Sequence, residues 1–173
     1  MRSGRLIALL AIAAIALAGC GGKKAREGGG GGSQGVPGLT LPPQDSDINV
    51  KPVIPKPTGN PPKALQVRDV LQGTRTAAET GDTLSVQYVG VAWSSGRQFD
   101  SSWDRPGKKP FVFKLSAGQV IPGWDQGLVG MRVRGRRELV VPPDLAYGAQ
   151  GQPPAIGPNE TLIFVIDLKK VKK

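Results

Sequence analysis

The sequence predicts an α+β domain over residues 63–173: a twisted antiparallel β-sheet wrapped around one short α-helix. Three observations carry this reading. All nine aromatic residues lie after position 87, which places the apolar core in the C-terminal part of the chain. Four runs in that part alternate side chains with a period of two, the pattern of strands. Between them, residues 119–130 read as a strand end that runs into a two-turn helix.

In that stretch Val120 and Ile121 are β-branched and suit the end of a strand. Pro122 fixes its own φ and has no amide hydrogen, which suits a first helical position. Trp124 and Leu128 are four apart and so share one face of a 122–129 helix. Gly130 can close the helix in a left-handed conformation. Two helical turns do not persist alone in water, so the sheet must clasp them. On these residues alone Trp124 is either a core anchor or the floor of a pocket.

The strands follow in order. Over 83–91, Leu84, Val86 and Tyr88 share one face. Phe111, Phe113 and Leu115 face away from Val112 and Lys114. Over 137–141, Leu139 and Val141 point together. In the run 161–168, Leu162, Phe164, Ile166 and Leu168 occupy one face and Ile163, Val165 and Asp167 the other, so this strand is read as central. Turn signals separate the runs at Gly81-Asp82, Ser95-Gly96, Pro106-Gly107 and Pro142-Pro143.

Upstream the chain changes character. Residues 1–19 combine a short basic start, an unbroken apolar run from Leu6 to Ala18 and a small-residue end. That run is too short for a bilayer core, which needs about 20 residues. The pattern is that of a signal peptide. Its end, Leu17-Ala18-Gly19-Cys20, resembles the lipobox of bacterial lipoproteins, which implies lipidation of Cys20 and an extracytoplasmic, lipid-anchored location on the bacterial cell membrane. Two or three acyl chains give stable anchoring where one is marginal. Residues 20–62 read as a disordered tether, glycine-rich to Gly35 and then proline-rich. As a coil the tether spans about 35 Å.

Composition removes several chemistries. With no histidine, the commonest general base and metal ligand are missing. The single cysteine, Cys20, excludes an internal disulfide and a cysteine-clustered zinc site. Neither metal nor cofactor is expected. The net charge of +10 is shared with the N-terminal segment. Arg132, Arg134, Arg136, Arg137 and the lysines of 169–173 suggest an anionic-surface binder, against the plainer reading of a solvated strand face and a charged terminus. No nucleic-acid partner is expected.

Five separated motifs now stand in order: Tyr88-Val89-Gly90; Gln98-Phe99-Asp100-Ser101-Ser102; Val120-Ile121-Pro122-Gly123-Trp124; Pro143-Asp144-Leu145-Ala146-Tyr147-Gly148; and Thr161-Leu162-Ile163-Phe164. Their order and spacing over about residues 64–171 resemble the FKBP-type peptidyl-prolyl cis–trans isomerases. The resemblance implies a pocket for a proline ring. Its catalytic set falls on Tyr88, Phe99, Asp100, Trp124, Tyr147 and Phe164, and its further walls on Arg105, Phe111, Val120, Ile121 and Ile156. Trp124 would lie flat under the ring. The Ile121 amide and the Tyr147 hydroxyl would bind carbonyls, Arg105 would orient Asp100, and residues 144–158 would form a loop over the site. Tacrolimus and rapamycin are the implied inhibitors, and a monomer is expected. Gln87, Gln119, Gln152 and Gly157 depart from residues common in the family, and Trp103 with residues 106–109 enlarges one loop; these changes touch the rim and the substrate preference.

The chemistry needs no nucleophile or metal, because no bond is broken. Amide resonance sets a barrier of about 18–20 kcal/mol, and an apolar box disfavours the polar planar amide relative to the twisted one. The sequence therefore reads as a lipid-anchored prolyl isomerase acting on proline-containing exported polypeptides. The alternative is a non-catalytic chaperone or peptide-binding module on the same fold.

Overall fold

The computed structural model describes residues 47–173. The expectations for residues 1–46, with the signal peptide, Cys20 and most of the tether, lie outside the described residues.

Six strands form one antiparallel sheet: β1 (Gln66–Leu71), β2 (Thr83–Ala92), β3 (Gln98–Ser101), β4 (Phe111–Lys114), β5 (Arg136–Val141) and β6 (Leu162–Lys172). Their order is β1-β5-β6-β2-β3, and β4 also pairs with β2. One edge of β2 is thus shared. Its first half takes β4, from Thr83 opposite Lys114 to Val86 opposite Phe111. Its second half takes β3, from Val89 opposite Ser101 to Val91 opposite Gln98. The central place of β6, between β5 and β2, agrees with its apolar residues on both faces.

The one α-helix among the described residues, α1 (Pro122–Gly127), packs on the front of the sheet. It is shorter than the predicted 122–129, with Leu128 as its C-cap and Gly130 beyond it at φ 77°. Val120 and Ile121 are not a strand end; they stand in the bend that enters the helix. The clasp is close. A Cβ on Gly123 would lie 2.4 Å from a Val141 methyl, and one on Gly127 would lie 2.7 Å from a Leu139 methyl. Two glycines four apart let the helix backbone rest on β5. Arg137 completes the joint: its Nη1 donates to the Gly127 carbonyl at 2.9 Å, at the helix C-terminus, while its Nε donates to Asp69 on β1 at 2.7 Å. The front core runs from Leu84, Val86 and Tyr88 through Trp124 and Leu128 to Leu162, Phe164, Ile166 and Leu168.

The back of the sheet is also covered, which departs from the predicted tether. Residues 47–62 do not belong to a disordered spacer; they lie against the sheet. Ile54 joins Val89, Val91, Trp93, Trp103, Val140, Ile163 and Val165 in a second apolar cluster, and Pro52 and Pro57 are buried. Polar bonds fix this arm along its length. Lys169 Nζ donates to the Ile48 carbonyl at 2.8 Å, Arg136 Nη2 to the Val50 carbonyl at 2.8 Å, Lys51 Nζ to Asp104 at 2.8 Å, and Trp93 Nε1 to the Gly59 carbonyl at 3.3 Å. The apolar residues of β2 and β6 that face backwards need a cover, and a proline-rich segment supplies one without needing a strand partner.

The arginine run is resolved by the same layers. Arg136 is fully buried and pairs with buried Asp167 through Nε at 2.6 Å and Nη2 at 2.8 Å. Arg137 is nearly buried against Asp69 and the helix end. Neither is a solvated face or an anion-binding group. Both are structural, and breaking a buried pair typically costs about 3–5 kcal/mol.

Candidate active site

β2 has no strand partner on its shared edge between β3 and β4, and the chain from 102 to 110 fills the gap. Ser102 Oγ accepts from the Tyr88 amide at 2.8 Å and donates to Gln87 Oε1. The side-chain nitrogen of Gln87 donates to the Lys108 carbonyl at 2.5 Å. This excursion puts Tyr88 and Asp100 on one side of a cavity and swings Arg105 back to its rim.

The cavity holds about 240 Å³ and opens on the front of the sheet. Tyr88, Phe99, Asp100, Arg105, Phe111, Val120, Ile121, Trp124, Tyr147 and Phe164 surround it. The structure therefore brings the predicted pocket residues together, except Ile156. That side chain is 2% exposed and lies in the front core, where it pins the loop after Tyr147 from beneath. Its amide donates to the Gln152 carbonyl and its carbonyl accepts from the Gln152 amide, which closes the loop at this point. Gln119 lines the cavity and was not among the predicted site residues. Its Oε1 accepts from the Lys114 amide at 2.8 Å, which fixes it at the end of β4. Its place directly before Val120, which the resemblance assigned to the rim, was the signal available.

Trp124 forms the floor. It is 3% exposed and meets Tyr88, Phe164 and Phe113 with ring centroids 5.1, 5.3 and 5.6 Å away, the first two edge-to-face. Such pairs contribute about 0.5–1.5 kcal/mol each beyond their burial. Phe99 stands edge-on to Phe164 at 5.6 Å. Gly90 makes room for both, since a Cβ there would lie 2.7 Å from the Phe99 ring and 3.0 Å from that of Phe164.

The polar groups sit at one edge. The Tyr88 hydroxyl donates to Asp100 Oδ2 and accepts from Arg105 Nη2 at 2.7 Å. Arg105 Nη2 is 3.5 Å from Asp100 Oδ2, and its guanidinium lies 5.6 Å from the ring centres of both Tyr88 and Phe111. Arg105 thus orients Asp100 chiefly through the shared phenol, and the acid is held without being buried. On the other side, the Ile121 amide makes no hydrogen bond within the described residues. It is a donor at the head of α1, beside the cavity, free for a carbonyl. The Tyr147 hydroxyl is the second such donor on the cavity wall. The turn Pro143–Leu145 and the bond from the Gly148 amide to the Pro143 carbonyl hold that residue in place.

Both phenols remain protonated at neutral pH. Burial, then the hydrogen bond to Asp100, pushes Tyr88 well above the ordinary tyrosine value of 10.0. Burial, then the nearby Asp100 charge, raises Tyr147 as well. The folded state therefore holds these protons longer than the unfolded chain. The stability they contribute is complete below pH 10.0 and is lost as pH rises above it. Isomerase activity should show no titration around neutrality, and the urea midpoint should fall above the ordinary tyrosine value. Measuring that midpoint against pH for the parent and Tyr88→Phe checks this: the variant should lose less on going alkaline, and equal losses would remove the assignment.

One family model and three relatives point in one direction. The family model described as FKBP-type peptidyl-prolyl cis-trans isomerase matches residues 74–169. An "FK506-binding protein" of Streptomyces anulatus is 52% identical over 122 residues, covering 70% of this chain and 97% of that protein. A "Probable FK506-binding protein" of Corynebacterium glutamicum is 41% identical over 118 residues, covering 68% of this chain and 96% of that protein. The mouse "Peptidyl-prolyl cis-trans isomerase FKBP2" is 47% identical over 93 residues, 54% of this chain and 64% of that protein. With the helix clasped on a six-stranded sheet and an aromatic cavity between them, the chain belongs to the FKBP-type peptidyl-prolyl cis–trans isomerases and is an enzyme of that class.

Proposed function

We propose that this isomerase works at the bacterial cell envelope, anchored through a lipidated Cys20, on proline-containing segments of exported polypeptides. The observation that carries the substrate reading is the cavity itself: an aromatic box with Trp124 as floor and two donors, the Ile121 amide and the Tyr147 hydroxyl, at its wall. A proline ring fills such a box, and its flanking carbonyls meet the donors. The mechanism is non-covalent. The apolar walls exclude water from the planar amide, whose polar resonance form then loses solvation, and the carbonyl contacts hold the bond as it twists. A millionfold acceleration requires about 8 kcal/mol. One neutral hydrogen bond contributes about 1 kcal/mol, so shape and desolvation carry most of it.

The test is isomerisation of a proline tetrapeptide, with and without tacrolimus or rapamycin. We expect turnover that is insensitive to chelators and thiol reagents and is inhibited competitively by either macrolide. A folded protein with neither turnover nor macrolide binding would support the binding-module reading. Tyr147→Phe removes one donor and leaves the ring. It should weaken tacrolimus or slow turnover by about 0.5–1.5 kcal/mol, roughly 2- to 12-fold. No change in either would place that hydroxyl outside the reaction.

The anchor reading rests on Leu17-Ala18-Gly19-Cys20 and the apolar run before it. Expressed in a bacterial host, the parent should fractionate with membranes and carry acyl chains. Cys20→Ser should lose the acylation and the firm attachment; a variant held and acylated like the parent would refute the anchor.

A further inference from the structure

Three exposed lysines gather at one end of the sheet's back face. Thr83 pairs with Lys114 on one side and Lys172 on the other, so all three share a face. Ser85 likewise pairs with Val112 and Lys170. Lys114 and Lys172 therefore lie two strand spacings apart, about 10 Å, and Lys170 stands about 7 Å along from Lys172. All three lysines are exposed, and among the described residues none of them has an ion-pair partner. The acids near the start of β2, Glu79 and Asp82, are taken by Lys173 at 2.7 and 3.2 Å. Val112, 58% exposed, lies among the lysines. The cavity opens on the opposite face, to which Tyr88, Phe111 and Phe164 project.

The path of the chain selects the partner. The first described residues arrive at this same end: Lys169, one residue before Lys170, donates to the Ile48 carbonyl, and exposed Arg134 stands beside Asp47 and Asn49. We propose that this lysine face docks on anionic phospholipid headgroups, seating the domain on the bilayer with its cavity turned away from it. The proposal rests on the anchor reading for its geometry. Tethering makes the contact intramolecular, so a small patch suffices. Lysine stems can lie along the interface with their charges among the headgroups, and Val112 supplies an apolar contact between them.

The test uses the full chain purified from membranes and reconstituted into vesicles of phosphatidylcholine alone or mixed with phosphatidylglycerol. Lysine acetylation is read residue by residue. With phosphatidylglycerol, Lys114, Lys170 and Lys172 should react about fivefold more slowly, while Lys56 and Lys63 keep their rate. High salt should abolish the difference. The triple variant Lys114→Gln, Lys170→Gln, Lys172→Gln should keep the parent's isomerase activity. Equal rates in both vesicles overturn the proposal. So does protection by soluble polyglutamate in place of vesicles, which would name an acidic polypeptide as the partner. Failure of the anchor shows differently, as a protein that does not float with the neutral vesicles. Flotation with the anionic vesicles alone, lost in the triple variant, would then uphold the lysine face, and no flotation with either would overturn it.

Discussion

A chain that starts at Lys63 should be less stable, by on the order of 5 kcal/mol, than one that starts at Asp47. The arm covers Trp93, Trp103, Val89, Val91, Ile163 and Val165 from behind, with Ile54 set among them. Burying a side chain such as Ile54 contributes about 1.5–3 kcal/mol, and each apolar residue it uncovers loses part of a similar amount. Removing the arm also takes the Val50 carbonyl from the buried Arg136 and Lys51 from Asp104. The sum is on the order of 5 kcal/mol, against domain stabilities of about 5–15 kcal/mol. Urea unfolding of the two chains measures it, with binding of a hydrophobic dye as a second readout of the uncovered face. Unfolding free energies within about 1 kcal/mol of each other would mean that the arm lies on the sheet without holding it.

Trp124→Ala should have the second large effect, on both stability and binding. The indole touches Tyr88, Phe113 and Phe164 and carries the floor of the cavity. Truncation should destabilise the fold by about 3–5 kcal/mol. Tacrolimus affinity should fall by about 2–3 kcal/mol, roughly 30- to 150-fold, through lost apolar contact. Trp124→Phe separates shape from indole chemistry. Trp124 Nε1 is buried with no hydrogen-bond partner among the described residues, so the phenylalanine breaks no bond and keeps a flat apolar floor. It should retain most of the affinity. Calorimetric titration of both variants decides the point: equal losses would mean that the site needs the indole itself.

What the sequence made legible was the front of the sheet. Leu84, Val86 and Tyr88, and Leu162 through Leu168, alternate as residues facing one core do, and Pro122 and Gly130 punctuate the helix. The pocket followed from separated motifs whose spacing only a shared fold brings together. The back was hidden. β1 shows little alternation because its contacts with β5 are ion pairs, Arg68 with Glu138 and Asp69 with Arg137, each in register. Charge pairing of this kind leaves no hydrophobic period to count. The lysines of 169–172 read as a tail, yet they continue β6, because strand pairing with β2 is indifferent to which side chains face outward. The arm failed for a related reason. Its prolines and sparse apolar residues match a disordered composition, and only the apolar backs of β2 and β6 give Ile54 somewhere to go. Ile156 was misplaced by one layer: motif position locates a residue along the loop but not the direction in which its side chain turns.

The arm also sets how the domain would respond to force. A pull on Asp47 along the chain would meet the fastenings of Ile48, Val50, Lys51 and Gly59 one after another. They open in series, like a peeled strip, and each yields at a small load. The β-sheet proper, with β6 clamped between β5 and β2, would be loaded only after the strip is gone. Under such a load the arm would act as a mechanical fuse, giving way before the catalytic box is strained.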